Sequence, residues 1–499
     1  MTSPAETQGK SESFAKKTVK GAAWTYMAYV LNKLSGFIMT LILTRLIIPE
    51  QYGIVGFALT AISFFDAIRD LGVGAALIQR RENIEEAANT AFWLNLVSNF
   101  VFWLLMTLGA PAVADFFREP LLVVVLPIIS TTFILTAIGG IHEALLTRSM
   151  QFQRRIIPEM ASSFSKALFS IGLALILPDA HKVWAVVLGQ VIGRIFWMFL
   201  MWAVNPWRPK LAFKLPVAGQ MLNYGYKISL DSLISALQAN IDYVFIGRFL
   251  GDTALGIYFV AFRVPELIII NFANVVAGVL FPAYAELEDR AKLKTAILGT
   301  LRYVALITVP AGIGLALISP LFAEVVFDPA YIDAGPMMAL LSLYGMLLAV
   351  SWNIGDVYKA IARADILWRT SFIEMALLGI VLYFMAQISA LHVAFGHVCV
   401  AFIVSLMRLL IAIRLLELDW RQTFAQFTPS VVGSAIMGAA VWLTLQVFAA
   451  LPGVALLGLA ILAGAVVYGA SMWWLERTLV VRVVELIQDW LPERETETA

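Results

Sequence analysis

The sequence predicts an all-α integral membrane protein of about fourteen transmembrane helices, arranged as two six-helix lobes related as parallel repeats plus two C-terminal helices. Three observations predict it: the composition, the spacing of apolar runs, and the side of the membrane to which basic residues fall. Of the 499 residues, 61% are hydrophobic and only 14% are charged, against roughly 25% charged in a soluble domain. The mean hydropathy is +0.84. A net charge of +1 gives no footing for nucleic acid, and the single cysteine, Cys399, excludes an internal disulfide framework and a cysteine metal site.

Residues 1–21 are polar, and Lys16, Lys17 and Lys20 lead into the first apolar run without a small-residue cleavage pattern. They read as a cytoplasmic tail before a retained first helix. Runs of about twenty residues, the length that spans a bilayer, fall near 22–43, 53–76, 89–111, 121–142, 158–177 and 183–204, giving a first lobe over 22–204. A cytoplasmic linker at 205–219 follows. The second lobe, 220–413, holds runs near 220–246, 254–281, 296–319, 336–358, 366–387 and 390–413. Two further spans near 430–450 and 453–475 form the 430–475 pair, and 476–499 is a second cytoplasmic tail. In that tail Leu479, Val483, Ile487 and Trp490 share one face, as in a helix lying on the membrane surface.

Assigning the loops alternately to two sides puts 23 Lys and Arg on the side of the N-terminus and only Arg45, Arg118, Lys182 and Arg248 on the other. Basic loops stay inside, so both termini are expected in the cytoplasm. The alternation persists to the last loop and supports an even number of spans.

The halves repeat. Arg45 and Gly53 recur as Arg248 and Gly256, each copy closing one polar helix and opening the next, and the same offset carries Asn32 onto Ser235 and Ser35 onto Gln238. Six helices separate the copies. An even number makes the repeats parallel, related by an axis along the membrane normal.

Polar side chains inside the spans locate the candidate site. In the seventh helix Asn223, Lys227, Asp231, Ser235, Gln238 and Asp242 recur every three or four residues and share one face. In the first, Tyr26, Tyr29, Lys33, Gly36, Thr40 and Thr44 do the same, and the second carries Ser63, Asp66 and Asp70 with Arg69 within reach of Asp66. An ionised side chain at the bilayer centre costs at least about 2.5–3.5 kcal/mol, so these faces meet protein or water. Two readings stay open: a water-filled transport cavity, or polar seams in which Lys227 pairs with Asp231 and Arg69 is held by Asp66 and Asp70. Lys166, Arg194, Arg263, Arg302 and Arg408 are also intramembrane cations, Arg408 near enough to an end to snorkel. Glu266, Asp356 and Glu374 are acids that can balance them.

Other chemistry is missing. No Gly-x-x-x-x-Gly-Lys loop is present, so ATP is not the direct energy source. His142, His181, His392 and His397 have no metal-ligand spacing. No cofactor is expected beyond a proton or Na⁺ gradient.

Several motifs in order carry a likeness: Leu71-Gly-Val-Gly-Ala-Ala-Leu-Ile-Gln-Arg, Leu146-Thr-Arg-Ser-Met-Gln-Phe, Asn240-Ile-Asp-Tyr-Val-Phe-Ile-Gly-Arg-Phe-Leu-Gly continuing to Arg263, and Phe281-Pro-Ala-Tyr-Ala. Together they resemble the Wzx-type polysaccharide flippases of the multidrug/oligosaccharidyl-lipid/polysaccharide exporter superfamily. The resemblance implies an alternating-access carrier that moves undecaprenyl-diphosphate-linked oligosaccharide from the cytoplasmic to the outer leaflet of the bacterial plasma membrane, for exopolysaccharide, capsule or O-antigen synthesis. It also implies membrane lipids, a polysaccharide polymerase and a chain-length regulator as partners. The related lipid II flippases place basic residues on the first, second and eighth helices, where Lys33, Arg69 and Arg263 stand here.

A diphosphate needs fixed cations in place of its water, assigned here to Lys33, Arg69, Lys227 and Arg263. Sugar hydroxyls suit Tyr26, Tyr29, Asn223, Ser235 and Gln238. Asp66, Asp70, Asp231, Asp242 and Glu266 then compensate charge or couple an ion. Alternatives are a cation-coupled drug exporter of the same superfamily, which would favour acids and aromatics over deep cations, and a polyprenol-dependent glycosyltransferase or polymerase, for which the short loops leave little room.

Overall fold

The computed structural model describes residues 29–274, 276, 284, 289–478 and 481. Tyr26, the lysines of the N-terminal tail, the Phe281-Pro-Ala-Tyr-Ala motif apart from Tyr284, and the helical face from Leu479 to Trp490 lie outside the described residues. Among those residues the chain is helical without strands. In order come α1 (Tyr29–Leu43), α2 (Pro49–Ile68), α3 (Val73–Gln79), α4 (Ile84–Phe117), α5 (Leu122–Ile129), α6 (Thr131–Arg148), α7 (Phe152–Ile176), α8 (Val183–Val204) and α9 (Leu215–Pro265). A π-helical turn at Glu266–Ile270 extends α9, followed by α10 (Arg290–Val326), α11 (Ala334–Ala360), α12 (Ala364–Met385), α13 (Ala390–Leu416), α14 (Trp420–Ala425), α15 (Thr428–Val447) and α16 (Gly453–Leu475).

Eleven helical stretches among the described residues are long and apolar enough to cross a membrane. One of them, Leu215–Asn274, is 60 residues long, about 90 Å at 1.5 Å per residue and so enough for two crossings. Gly251 breaks it at φ 86°, a left-handed position that glycine adopts without strain. With the shorter α1 and the more polar α2 added, the described helices are compatible with fourteen spans.

The chain divides into two compact units, one running to Val260 and taking in Ala386–Ala390, the other comprising Ala261–Met385 and Leu391 onward. In the first, the internal repeat is visible as a reciprocal contact. Arg45 and Arg248 are 203 positions apart, and that offset maps Pro49, Tyr52, Gly53 and Gly56 onto Asp252, Leu255, Gly256 and Phe259. A Cβ on Gly53 would lie 1.9 Å from the Asp252 carbonyl oxygen, and one on Gly256 would lie 2.0 Å from that of Pro49. Likewise Gly56 meets Leu255, and the Tyr52 ring meets that of Phe259 at 6.0 Å. For each touching pair the two counterparts also touch each other, the signature of a two-fold axis passing between the paired segments.

Both glycines are there because nothing larger fits. Gly53→Ala or Gly256→Ala is expected to cost at least the ~1–3 kcal/mol of an overpacked contact and to lower the thermal midpoint of the purified protein. Gly36→Ala, with nothing within 4 Å of the added carbon, should leave the midpoint unchanged. Identical midpoints for all three variants would remove steric necessity from the repeat.

The same unit packs α7 against α8 through Gly189 and Gly193, whose added Cβ atoms would fall 2.0 Å from Ser170 Oγ and 2.8 Å from Lys166 Cβ. Small residues four apart let two membrane helices approach backbone to backbone. In the second unit Leu293, Ile297, Leu301, Tyr358, Leu409 and Ile413 form a buried core. The last two helices lie on α10, where Tyr468 donates to the Leu306 carbonyl at 2.7 Å and Glu476 pairs with Arg302.

Arg408 does not snorkel. It is 3% exposed and ion-paired with Glu374 at 2.8 Å, because the hydroxyls around it satisfy its remaining donors more fully than an approach to the interface would.

Candidate functional site

The end of α2 forms one wall of a polar cavity of about 430 Å³ inside the first unit. Leu59, Ile62, Asp66 and Arg69 point into it from a single helical face. Beyond α2 the chain turns, and the Arg69 carbonyl, freed at the helix end, accepts from Asn99 Nδ2 at 3.2 Å and Ser98 Oγ at 3.3 Å. These bonds from α4 fix where the Arg69 side chain starts. Its Nε lies 2.6 Å from Asp66 Oδ1, with the Arg69 side chain 18% exposed and that of Asp66 47% exposed.

The opposite wall comes from α7 and α8. Glu159, Ser162, Ser163 and Lys166 line the cavity from α7, and Gln190, Arg194 and Trp197 line it from α8. The close helix contact at Gly193 sets Arg194 beside Lys166. Arg194 lies over the Trp197 ring at 4.8 Å, a cation–π contact. Thr132, Thr136 and Glu143 close the third side, and Asn32 of α1 completes the lining. The facing cations are thus Arg69, Lys166 and Arg194, and the facing acids Asp66, Glu143 and Glu159. Glu143 and Glu159 are both engaged by Arg155, at 2.8 and 3.1 Å. Two of the three acids are therefore already occupied from the side, which tips the cavity toward anions.

Of the residues singled out from the sequence, the structure brings Asp66 and Arg69 together here. Lys33 does not line this cavity; its Nζ lies 5.7 Å from the Tyr29 ring. Thr40 and Thr44, on the expected polar face of α1, are buried and bond to carbonyls of their own helix. Asp70 accepts the Gly74 N–H at 3.2 Å, at the start of α3. On α9, Asn223, Lys227, Asp231 and Ser235 are exposed and Gln238 is half-buried. The i,i+4 ion pair open to Lys227 and Asp231 does not form; Lys227 Nζ lies 5.8 Å from the Tyr226 ring. Asp242 is buried and accepts from Tyr258 Oη at 3.0 Å and the Tyr243 N–H at 2.9 Å. In the second unit Arg263 and Glu266 form an ion pair at 2.9 Å, at the start of the π-helical turn.

Sequence reasoning recognised Lys166 and Arg194 as deep cations without placing them, and passed over Glu143 and Glu159. A signal existed. Glu159, Ser162, Ser163 and Lys166 follow the same three-and-four spacing that drew attention to the first and seventh helices.

The family model described as polysaccharide biosynthesis protein matches residues 42–336. The chain is 27% identical over 364 residues to the lipopolysaccharide biosynthesis protein WzxC of Escherichia coli, covering 72% of this chain and 73% of the relative. It is 26% identical over 382 residues to the teichuronic acid biosynthesis protein TuaB of Bacillus subtilis, covering 76% and 78%. Among solved structures, the lipid II flippase MurJ in an inward closed conformation superposes with a TM-score of 0.75 at 14% identity, covering 91% of this chain and 99% of that one. An inward-facing multidrug resistance MATE family transporter gives 0.61 at 16%, covering 77% and 94%. At these identities the two structures establish a shared transporter fold.

Proposed function

The chain belongs to the polysaccharide biosynthesis protein family, whose model matches more than half of it, and on that premise we propose that it flips polyprenyl-diphosphate-linked oligosaccharide across the bacterial plasma membrane. It is a multi-pass transporter and not an enzyme. The observation that carries the reading is the cavity in which Arg69, Lys166 and Arg194 face inward. Its volume suits a diphosphate with adjoining sugar. The polyprenyl chain stays in lipid.

In the empty carrier Asp66 holds Arg69, and the entering diphosphate takes the place of that carboxylate. Lys166 and Arg194 add the second and third charges. Lys33 and Lys227 in the first unit, and separately Arg263 in the second, are the further cations read from the sequence; Glu266 balances Arg263, and Asp70, Asp231 and Asp242 remain as candidates to couple an ion. Tyr29, Asn223, Ser235 and Gln238 bind sugar hydroxyls. Uphill cycling draws on a proton or Na⁺ gradient or on the membrane potential, worth about 2.3 kcal/mol per charge per 100 mV. Downstream, a polysaccharide polymerase with its chain-length regulator consumes the product.

Vesicles containing the purified protein and a fluorescent polyprenyl-diphosphate sugar provide the test. Movement to the far leaflet should exceed that of protein-free vesicles and speed up under an imposed gradient. No excess over empty vesicles would sink the transport reading, and equal rates with and without proton, Na⁺ and voltage gradients would remove coupling alone.

Both termini and the loop carrying Arg148, Arg154 and Arg155 are assigned to the cytoplasm. In a Cys399→Ser background, Gln151→Cys should resist an impermeant thiol reagent in intact cells and react after permeabilisation. Labelling in intact cells would invert the orientation.

A further inference from the structure

A second cavity in the first unit, of about 340 Å³, lies outside the transport site between α3 and the start of α9. Gln79, Arg80, Arg81, Gln220, Met221 and Tyr224 line it, and no carboxylate does. Its walls are fixed relative to each other, since a Cβ on Gly225 would fall 2.0 Å from the Leu71 carbonyl oxygen. Arg80 is aimed by two bonds, Nη1 donating to Gln220 Oε1 at 3.2 Å and Nε to the Glu82 carbonyl at 3.1 Å. Those bonds leave Nη2 for a ligand.

The charge here is uncompensated. Nearby Lys210 and Lys214 are ion-paired with Glu85 and Glu86 at 2.5 and 2.6 Å, whereas among the described residues no acid pairs with Arg80 or Arg81. The C-terminal end of α3 would ordinarily repel an anion with its unpaired carbonyls. Arg148 removes that obstacle by donating to the carbonyls of Leu77 and Ile78 at 3.2 and 2.8 Å, and to that of Arg80. Adjacent guanidinium forks with amide and phenol donors match a phosphate.

The depth of the site indicates that the phosphate belongs to a lipid. Gln220 and Tyr224 occupy the first turns of a membrane-spanning helix. Trp93, Trp202 and Trp207 gather at the same end, Trp93 donating to the Lys210 carbonyl at 2.9 Å, and tryptophans concentrate at headgroup level.

We propose that the Arg80–Arg81 cavity binds the phosphate group of a membrane lipid, either a bulk anionic phospholipid or a polyprenyl diphosphate. Native mass spectrometry of the full-length detergent-purified protein tests this separately with phosphatidylglycerol, undecaprenyl diphosphate and inorganic diphosphate. Arg80→Gln/Arg81→Gln should reduce retention of at least one of the two lipids about tenfold with an unchanged thermal midpoint. Arg80→Lys/Arg81→Lys, which keeps charge but loses the fork, should fall between. Arg154→Gln, which removes an exposed charge elsewhere, should have no effect. Loss of phosphatidylglycerol alone assigns the site to bulk lipid, and loss of the polyprenyl diphosphate assigns it to the substrate. Wild-type retention of both lipids by the glutamine variant, or an effect confined to inorganic diphosphate, would overturn the proposal. Because the readout is binding and not flipping, its failure leaves the transport reading standing.

Discussion

Arg69→Ala is expected to abolish polymer export, by at least about a hundredfold, while the protein accumulates in the membrane at normal levels. Truncating one partner of a desolvated, charge-assisted contact costs about 2–5 kcal/mol, and 2.7 kcal/mol is already a factor of about one hundred. Folding should survive because the carboxylate left behind is not entombed: the Asp66 side chain is 47% exposed. Arg69→Lys should retain partial export, since it keeps the charge but not the fork. Asp66→Asn gives the complementary test. If Asp66 merely holds Arg69 until substrate arrives, its amide variant should bind a polyprenyl diphosphate as tightly as wild type or more tightly. Wild-type export by Arg69→Ala would remove Arg69 from the substrate path. Loss of protein from the membrane in Arg69→Ala, with recovery in Arg69→Ala/Asp66→Ala, would show a structural pair instead.

The class and order of the helices could be read from the chain because a bilayer imposes a length and a composition on every crossing. Two elements resist that reading for physical reasons. The α2 helix carries Asp66 close to its end and buries much of its length against protein, so its sequence is not required to look lipid-soluble. In α9 it is the continuity that resists: Arg248, Asp252 and Thr253 mark the boundary between the runs near 220–246 and 254–281, but no local pattern shows that the helix carries on through them, broken only at Gly251. The repeat was legible as Arg45 and Gly53 matching Arg248 and Gly256, but its reason was not: these glycines are counterparts because they meet at the same axis. For the site, periodicity shows which residues share a face and cannot show which faces share a space. Asp66 and Arg69, three residues apart on one helix, were found. Lys166 and Arg194 come from different helices and are brought together by Gly193, a contact that no local pattern announces. Glu143 and Glu159 stood just beyond or at the edge of apolar runs, where an acid looks like a loop residue.

Arg408→Ala is expected to cost about 3–5 kcal/mol, the usual penalty for leaving one member of a buried ion pair uncompensated, and to appear as a large fall in thermal midpoint and in yield. The arginine is held by four acceptors: Thr370 Oγ1 at 3.2 Å, Ser351 Oγ at 2.7 Å, Ser371 Oγ at 3.1 Å and Glu374 Oε2 at 2.8 Å. They come from α11 and α12, so this one side chain on α13 ties three helices together inside the second unit. Its backbone takes part as well, the Arg408 carbonyl accepting from the fully buried Tyr358 hydroxyl at 2.5 Å. Position along the helix suggested escape to the interface, but Glu374 lies 34 residues away in sequence and exerts its pull only once α12 and α13 are packed. Arg408→Lys should rescue little, because three ammonium hydrogens on a flexible stem cannot reproduce a planar fork serving four oxygens. Arg408→Leu/Glu374→Leu should recover much of the loss, since an apolar replacement of both charges removes the desolvation cost along with the attraction. A double variant no better than Arg408→Ala would mean that the hydroxyls, not the carboxylate, account for the stability. A wild-type midpoint for Arg408→Ala itself would mean that the guanidinium reaches water after all.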